Sequence, residues 1–129
     1  MDSISNMIIK IKNANLRGLE TVSFPYSKLS LAIAEVLEKE GYVKNVTKKG
    51  KKVVKTLEVG LVYDDAKQPR VTDVKRVSKS SKRIYVGSSE IKGVKSGFGT
   101  LVLTTPNGIL TDKQAKAAKV GGEALFKIW

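Results

Sequence analysis

Apolar side chains near the start of the chain, Ile4, Met7, Ile8 and Ile11, recur every three or four positions and so share one side of a helix. Asp2 or Ser3 is placed to cap it. The opposite stripe, Asn6, Lys10, Asn13 and Arg17, is polar. It is either a phosphate-facing surface or an ordinary solvated helix face. Gly18 ends the pattern, and Val22–Phe24 alternate as a short strand before Pro25. Ser27 then caps a second predicted helix, with Leu29, Ile33, Val36 and Leu37 on one side and Gly41 closing it. Two strands follow, one near Tyr42–Val46 and one with Val53, Leu57, Val59, Leu61 and Tyr63 at alternate positions. The connection between them carries Lys48, Lys49, Gly50, Lys51 and Lys52. That tip is either an RNA grip or a solvated guard of an edge strand.

Beyond Asp64–Arg70, a turn-rich stretch read as a linker, the pattern becomes mainly β. Val71–Val77 and Arg83–Val86 read as strands, separated by Ser78, Lys79, Ser80, Ser81 and Lys82. Gly87–Gly99 has room for one helical turn after Ser88 or Ser89, and Thr100–Thr105 has strong β-propensity. Pro106-Asn107-Gly108 supplies turn chemistry, with Gly able to take positive φ. Ile109 and Leu110 begin a brief return strand. Thr111 with Gln114 forms a capping box for a short helix over Asp112–Lys119, which Gly121-Gly122 stops. Glu123–Trp129 is the final strand, with Ala124, Phe126 and Ile128 expected on one side.

Charge gives this outline a partner. Lys and Arg number 24 against 12 Asp and Glu, a formal net charge of +12. The surplus is uneven: residues 1–69 hold twelve basic and eight acidic side chains, residues 70–129 twelve and four. A field of that sign attracts polyphosphates, and the second half is the expected seat of an anionic partner. The chain has no His and no Cys, which removes a His base, a thiolate nucleophile and an ordinary zinc site. No apolar run approaches the roughly 20 residues that cross a bilayer. No secretory signal is visible, so a soluble chain in a cytoplasm-like compartment is expected. The fold class expected is α+β: an N-terminal α-β-α-β-β unit over 1–65, packed on a mainly β C-terminal domain with a short helix over 66–129.

Positions 99–116 carry the most specific pattern. Around one turn they gather Thr104, Thr105, the Asn107 amide and free backbone N–H groups, a set able to reach base edges and ribose hydroxyls while lysines hold phosphate. A plain hairpin has the same outline. The run Gly-Thr-Leu-Val-Leu-Thr-Thr-Pro-Asn-Gly-Ile-Leu-Thr-Asp-Lys-Gln-Ala-Lys resembles the signature of the eighth small-subunit ribosomal protein family. The segment from Asp2 to Asn13 resembles that family's opening. Arg76-Val77-Ser78 with Arg83-Ile84-Tyr85 resembles its central strands, and Gly121-Gly122-Glu123 through Trp129 its C-terminus.

The resemblance implies a structural constituent of the small ribosomal subunit, without cofactor or metal, that binds the central domain of small-subunit rRNA and helps assemble it. It places Thr104, Thr105, Asn107 and Gly108 at the RNA, with Glu123 alongside and Tyr85 and Arg83 from the central strands. Tyr85 either stacks on a base or packs beneath the backbone. Glu123 accepts from a base or ribose, or orients a neighbouring lysine. Lys79, Lys82, Lys116, Lys119, Lys10 and Asn13 complete the expected RNA-binding set. The implied partners are that RNA, neighbouring small-subunit proteins (notably the fifth, through the N-terminal half) and, in some members, their own messenger. No membrane is implied. The chain departs from the family's usual residues at Pro106 and Asn107 in the turn, at Ser80-Ser81, and at Ser3, Lys10 and Lys12.

Two rivals are weaker. A Mg²⁺-dependent nuclease needs convergent carboxylates, and Asp64, Asp65 and Asp73 are the clustered candidates. A DNA-binding protein needs a recognition helix or basic arm for the major groove, and neither is evident.

Overall fold

The structure, a computed structural model, describes residues 3–50, 55–79, 81–91 and 99–129. The chain divides into two compact units, Met1–Thr72 and Asp73–Trp129. Its described elements are helices and antiparallel sheets, an α+β fold.

In the first unit the order is α1 (Ser3–Leu16), β1 (Thr21–Pro25), α2 (Lys28–Lys39), β2 (Val43–Gly50) and β3 (Lys55–Leu61). The sheet order is β1-β3-β2. Leu57, Val59 and Leu61 of β3 are buried with Met7, Ile8 and Ile11 of α1 and Ile33, Ala34 and Leu37 of α2. Burying those apolar stripes against one another is what stabilises helices this short. Buried Asn15 closes the unit: its amide donates to the Val62 carbonyl at 3.3 Å, and its oxygen accepts from the Val71 N–H at 3.0 Å.

Several expectations need correction. Ser3 is the first helical residue rather than a cap, and Asp2 lies outside the described residues. Ser27 does cap α2, with Ser30 completing the box, but Leu29 is 39% exposed. The buried face centres on Ser30, Ile33, Ala34 and Leu37 instead. β2 runs past Val46 to Gly50, because an irregularity between Lys44 and Thr47, with Asn45 at φ 50°, absorbs one extra residue and restores pairing. Lys48, Lys49 and Gly50 therefore sit in the ladder, and Lys49 pairs with Glu58 at 3.0 Å. Lys51, Lys52 and Val53 lie outside the described residues.

The second unit contains β4 (Val74–Arg76), β5 (Tyr85–Val86), a 3-10 turn at Ser88–Glu90, β6 (Thr100–Thr105), β7 (Gly108–Thr111), α3 (Asp112–Ala118) and β8 (Gly122–Ile128). The sheet order is β4-β8-β6-β7, with β5 also pairing β8. The strands expected over Val71–Val77 and Arg83–Val86 thus shrink to β4 and β5. Val71 gives its N–H to Asn15 rather than to a ladder.

The expectation that Ala124, Phe126 and Ile128 share a side is overturned by register. Val102 pairs with Phe126 while the next residue, Leu103, pairs with Ala124, leaving Leu125 as the extra residue of a bulge. Neighbours on a strand point to opposite faces, and cross-strand partners share one. Ala124 therefore joins Leu103, Leu101, Ala115 and Ile91 in one cluster, and Phe126 faces the other way with Val102. The Leu125 carbonyl left over accepts from the Val77 N–H at 2.9 Å and from the Arg76 guanidinium.

Helix α3 has the expected cap: Thr111 Oγ1 accepts from the Gln114 N–H at 3.2 Å, and Gln114 Oε1 accepts from the Thr111 N–H at 3.0 Å. Its stop is not the expected glycine pair. Lys119 takes the left-handed conformation at φ 56°. Gly121 and Gly122 serve close packing instead: a Cβ on Gly121 would lie 2.3 Å from the Val86 carbonyl oxygen.

Candidate nucleic-acid interface

Register assembles the central feature. On β8, Glu123 lies directly opposite Tyr85 of β5 on one side and Thr104 of β6 on the other, and Thr104 in turn pairs with Ile109 of β7. Cross-strand partners share a face, so Tyr85, Glu123 and Thr104 form a row across three strands. That face is the one opposite the Leu103–Ala124–Ala115 cluster, because Thr104 and Glu123 alternate with Leu103 and Ala124. Tyr85 is 68% exposed, an aromatic surface turned to solvent. Glu123 holds the Arg83 guanidinium at 3.0 Å, with side chains 13% and 52% exposed respectively. The cation it holds here is an arginine, where the sequence offered a neighbouring lysine as one alternative. This pairing keeps the carboxylate from standing as an isolated negative charge on a cationic surface.

The two threonines behave differently. Thr105 Oγ1 donates to the Gly108 carbonyl at 2.9 Å and accepts from the Asn107 N–H at 3.1 Å. Its one O–H donor is spent on the shape of its own turn, which leaves one lone pair of the oxygen. Among the described residues the Thr104 hydroxyl has no hydrogen-bond partner, so it remains available. Gly108 takes φ 104° as anticipated, and neither Pro106 nor Asn107 needs positive φ. Pro106, Asn107 and Gly108 form the exposed tip. The rest of the signature supports the fold: buried Thr111 caps α3, and buried Asp112 accepts from the Leu101 N–H at 3.4 Å.

A second protrusion carries charge. Between β4 and β5 the Lys79 and Lys82 N–H groups donate to each other's carbonyls at 2.9 and 3.0 Å. Lys79, Lys82 and Arg83 are exposed. Its base is pinned by fully buried Ser78, whose hydroxyl accepts from the Ile84 N–H at 2.8 Å and donates to the Ile84 carbonyl at 3.2 Å. Lys113 and Lys116 on α3 and Lys119 at its C-cap are exposed.

Lys10 and Asn13 lie in the first unit, exposed on α1 together with Asn6, and Arg17 is exposed just past its end. The nuclease candidates find local uses: Asp64 Oδ1 accepts from the Ala66 and Gln68 N–H groups, both at 2.9 Å, and Asp73 Oδ1 from the Val74 N–H at 2.8 Å. Among the described residues no three His, Cys, Asp or Glu side chains gather as a metal site. Ser78 and Gly122 were not anticipated as parts of the site. A lone serine between a strand and a basic turn was the available signal for Ser78, and Gly122 was read as a helix stop.

Residues 2–129 match the family described as Ribosomal protein S8. The chain is 44% identical to the small ribosomal subunit protein uS8 of Mycoplasmopsis agalactiae over 128 residues, covering 99% of this chain and 97% of the relative. The counterpart from Geobacter metallireducens is also 44% identical with the same coverage, and that from Mycoplasmopsis synoviae is 45% identical over 129 residues, 99% of this chain and 97% of the relative.

Proposed function

Because this chain belongs to the ribosomal protein S8 family, we propose that its second unit binds the central domain of small-subunit rRNA through the Tyr85–Glu123–Thr104 row and the Thr105–Gly108 turn. Membership makes it a structural, rRNA-binding constituent of the small ribosomal subunit rather than an enzyme. The finer reading rests on one observation: the sheet register brings an exposed aromatic, a guanidinium-paired carboxylate and a hydroxyl without a partner among the described residues into one line. An aromatic face stacks on a base, while the hydroxyl and carboxylate meet ribose and base-edge groups. Lys79, Lys82, Lys116 and Lys119 hold phosphates and supply affinity that depends on salt rather than sequence. Gly108 and Asn107 set how closely the turn approaches the RNA.

In the same reading the first unit contributes Lys10 and Asn13 to the RNA and contacts a neighbouring small-subunit protein, the fifth. Binding to the chain's own messenger would use the same surface, on an RNA that imitates the ribosomal helix.

Protection mapping tests the reading. The purified chain is expected to shield a discrete part of central-domain rRNA at moderate ionic strength, and to prefer an internally irregular RNA helix over duplex DNA of equal length. No shielding, or equal affinity for the two, would overturn it.

A further inference from the structure

The first unit carries a groove of about 230 Å³ that the interface on the second unit does not use. It is lined by the apolar side chains Met7, Phe24 and Pro25 and by Asn6, Lys10 and Tyr26. Among the described residues that line it, Lys10 is the one that carries a charge. The Lys48 ammonium adds a second positive charge, 4.3 Å from the centre of the Tyr26 ring. The ring's position is set by the backbone: the Tyr26 N–H donates to the Lys55 carbonyl at 3.1 Å, and Ser27 begins the capped start of α2. Ser27 and Ser30 also line the groove, but their hydroxyls are engaged with each other and with the cap. Among the described residues, the Asn6 amide, the Lys10 ammonium and the Tyr26 hydroxyl have no hydrogen-bond partner.

These features fit a single nucleotide. An aromatic wall with apolar neighbours accepts the flat face of any base, at a strength that side-chain truncation readily reveals. A primary amide can pair with a base edge, and two ammonium groups suit the attached phosphate. The volume is below the roughly 300 Å³ of an ordinary small-molecule site, which suits one base better than a whole cofactor. A roomier groove of about 380 Å³ on the same unit includes Glu20 and Glu58 in its lining, carboxylates that oppose a phosphate.

We propose that the Asn6–Lys10–Tyr26 groove takes one unpaired nucleotide of the RNA, with its base against Tyr26 and its phosphate near Lys10 and Lys48. The proposal rests on the reading of the chain as an RNA binder, but on none of the residues of the second unit.

The test uses the full chain bound to small-subunit rRNA, with base accessibility probed chemically. Wild-type protein is expected to shield an unpaired nucleotide that Tyr26→Ala leaves reactive, and affinity is expected to fall about tenfold, within the range for loss of one stacked base. Tyr26→Phe, which retains the ring, should restore the shielding. If Tyr26→Ala lowers the thermal midpoint, the exposed pair Asn6→Ala and Lys10→Ala is read instead, and should expose the same nucleotide. Unchanged protection in these variants would overturn the groove's assignment alone and leave it to a protein partner. A wild-type chain that shields nothing would overturn the RNA reading as well.

Discussion

A Cβ added to Gly122 would lie 2.1 Å from the Thr104 carbonyl oxygen, so β8 passes the end of β6 more closely than any side chain allows. Thr104 and Glu123, the next residue after Gly122, are directly paired. The close approach therefore holds the middle of the proposed RNA-facing row.

Gly122→Ala is expected to push the strands apart and destabilise the chain by on the order of 3 kcal/mol, because the obstacle is backbone rather than a mobile side chain. Urea denaturation measures it. A midpoint equal to that of wild type would show that β8 can shift without cost.

The two adjacent threonines should separate shape from recognition. Thr105→Val removes the hydroxyl that bridges Asn107 and Gly108, and should lower stability by about 1–2 kcal/mol. Thr104→Val should leave the melting temperature near that of wild type. Its affinity for cognate rRNA should weaken by about 1–3 kcal/mol, with a smaller lead over mismatched RNA. Equal losses on both RNAs would remove Thr104 from recognition.

Ser78 touches no solvent, yet should matter to binding. Ser78→Ala leaves the part-buried Ile84 N–H without its acceptor, a loss of about 1 kcal/mol. Faster hydrogen exchange at Ile84, with weaker RNA binding through the loosened Lys79–Arg83 turn, is the expected pair of observations. Unaltered exchange would mean that the backbone alone holds the turn.

Lys119 sits where glycine is favoured, at φ 56°. Lys119→Gly should raise stability by about 1 kcal/mol and the melting temperature by about 4 °C. The same change removes a proposed phosphate contact, so the slope of log affinity against log salt should become shallower by about 0.7–0.9. Stability and RNA affinity are expected to move in opposite directions; parallel movement would separate Lys119 from the RNA.

Much of this architecture was legible before the structure, and the reason is range. Helix and strand periods, the Thr111–Gln114 box, the Ser27 cap and the positive φ at Gly108 depend on residues a few positions apart. The signature around the turn was visible for the same reason. The Arg83–Glu123 pair spans 40 residues, and no local pattern indicated which cation the carboxylate would hold.

The sequence by itself determined the kinds and order of most elements, the cationic surplus and the family, because each is carried by short spacings or by composition. Tertiary structure alone decided that Leu125 is a bulge that turns Ala124 and Phe126 to opposite faces, that Gly122 yields space to Thr104, and that Thr105 serves its turn while Thr104 stays open. Those outcomes depend on strand register, and register is settled only when distant segments pair and bury their side chains together.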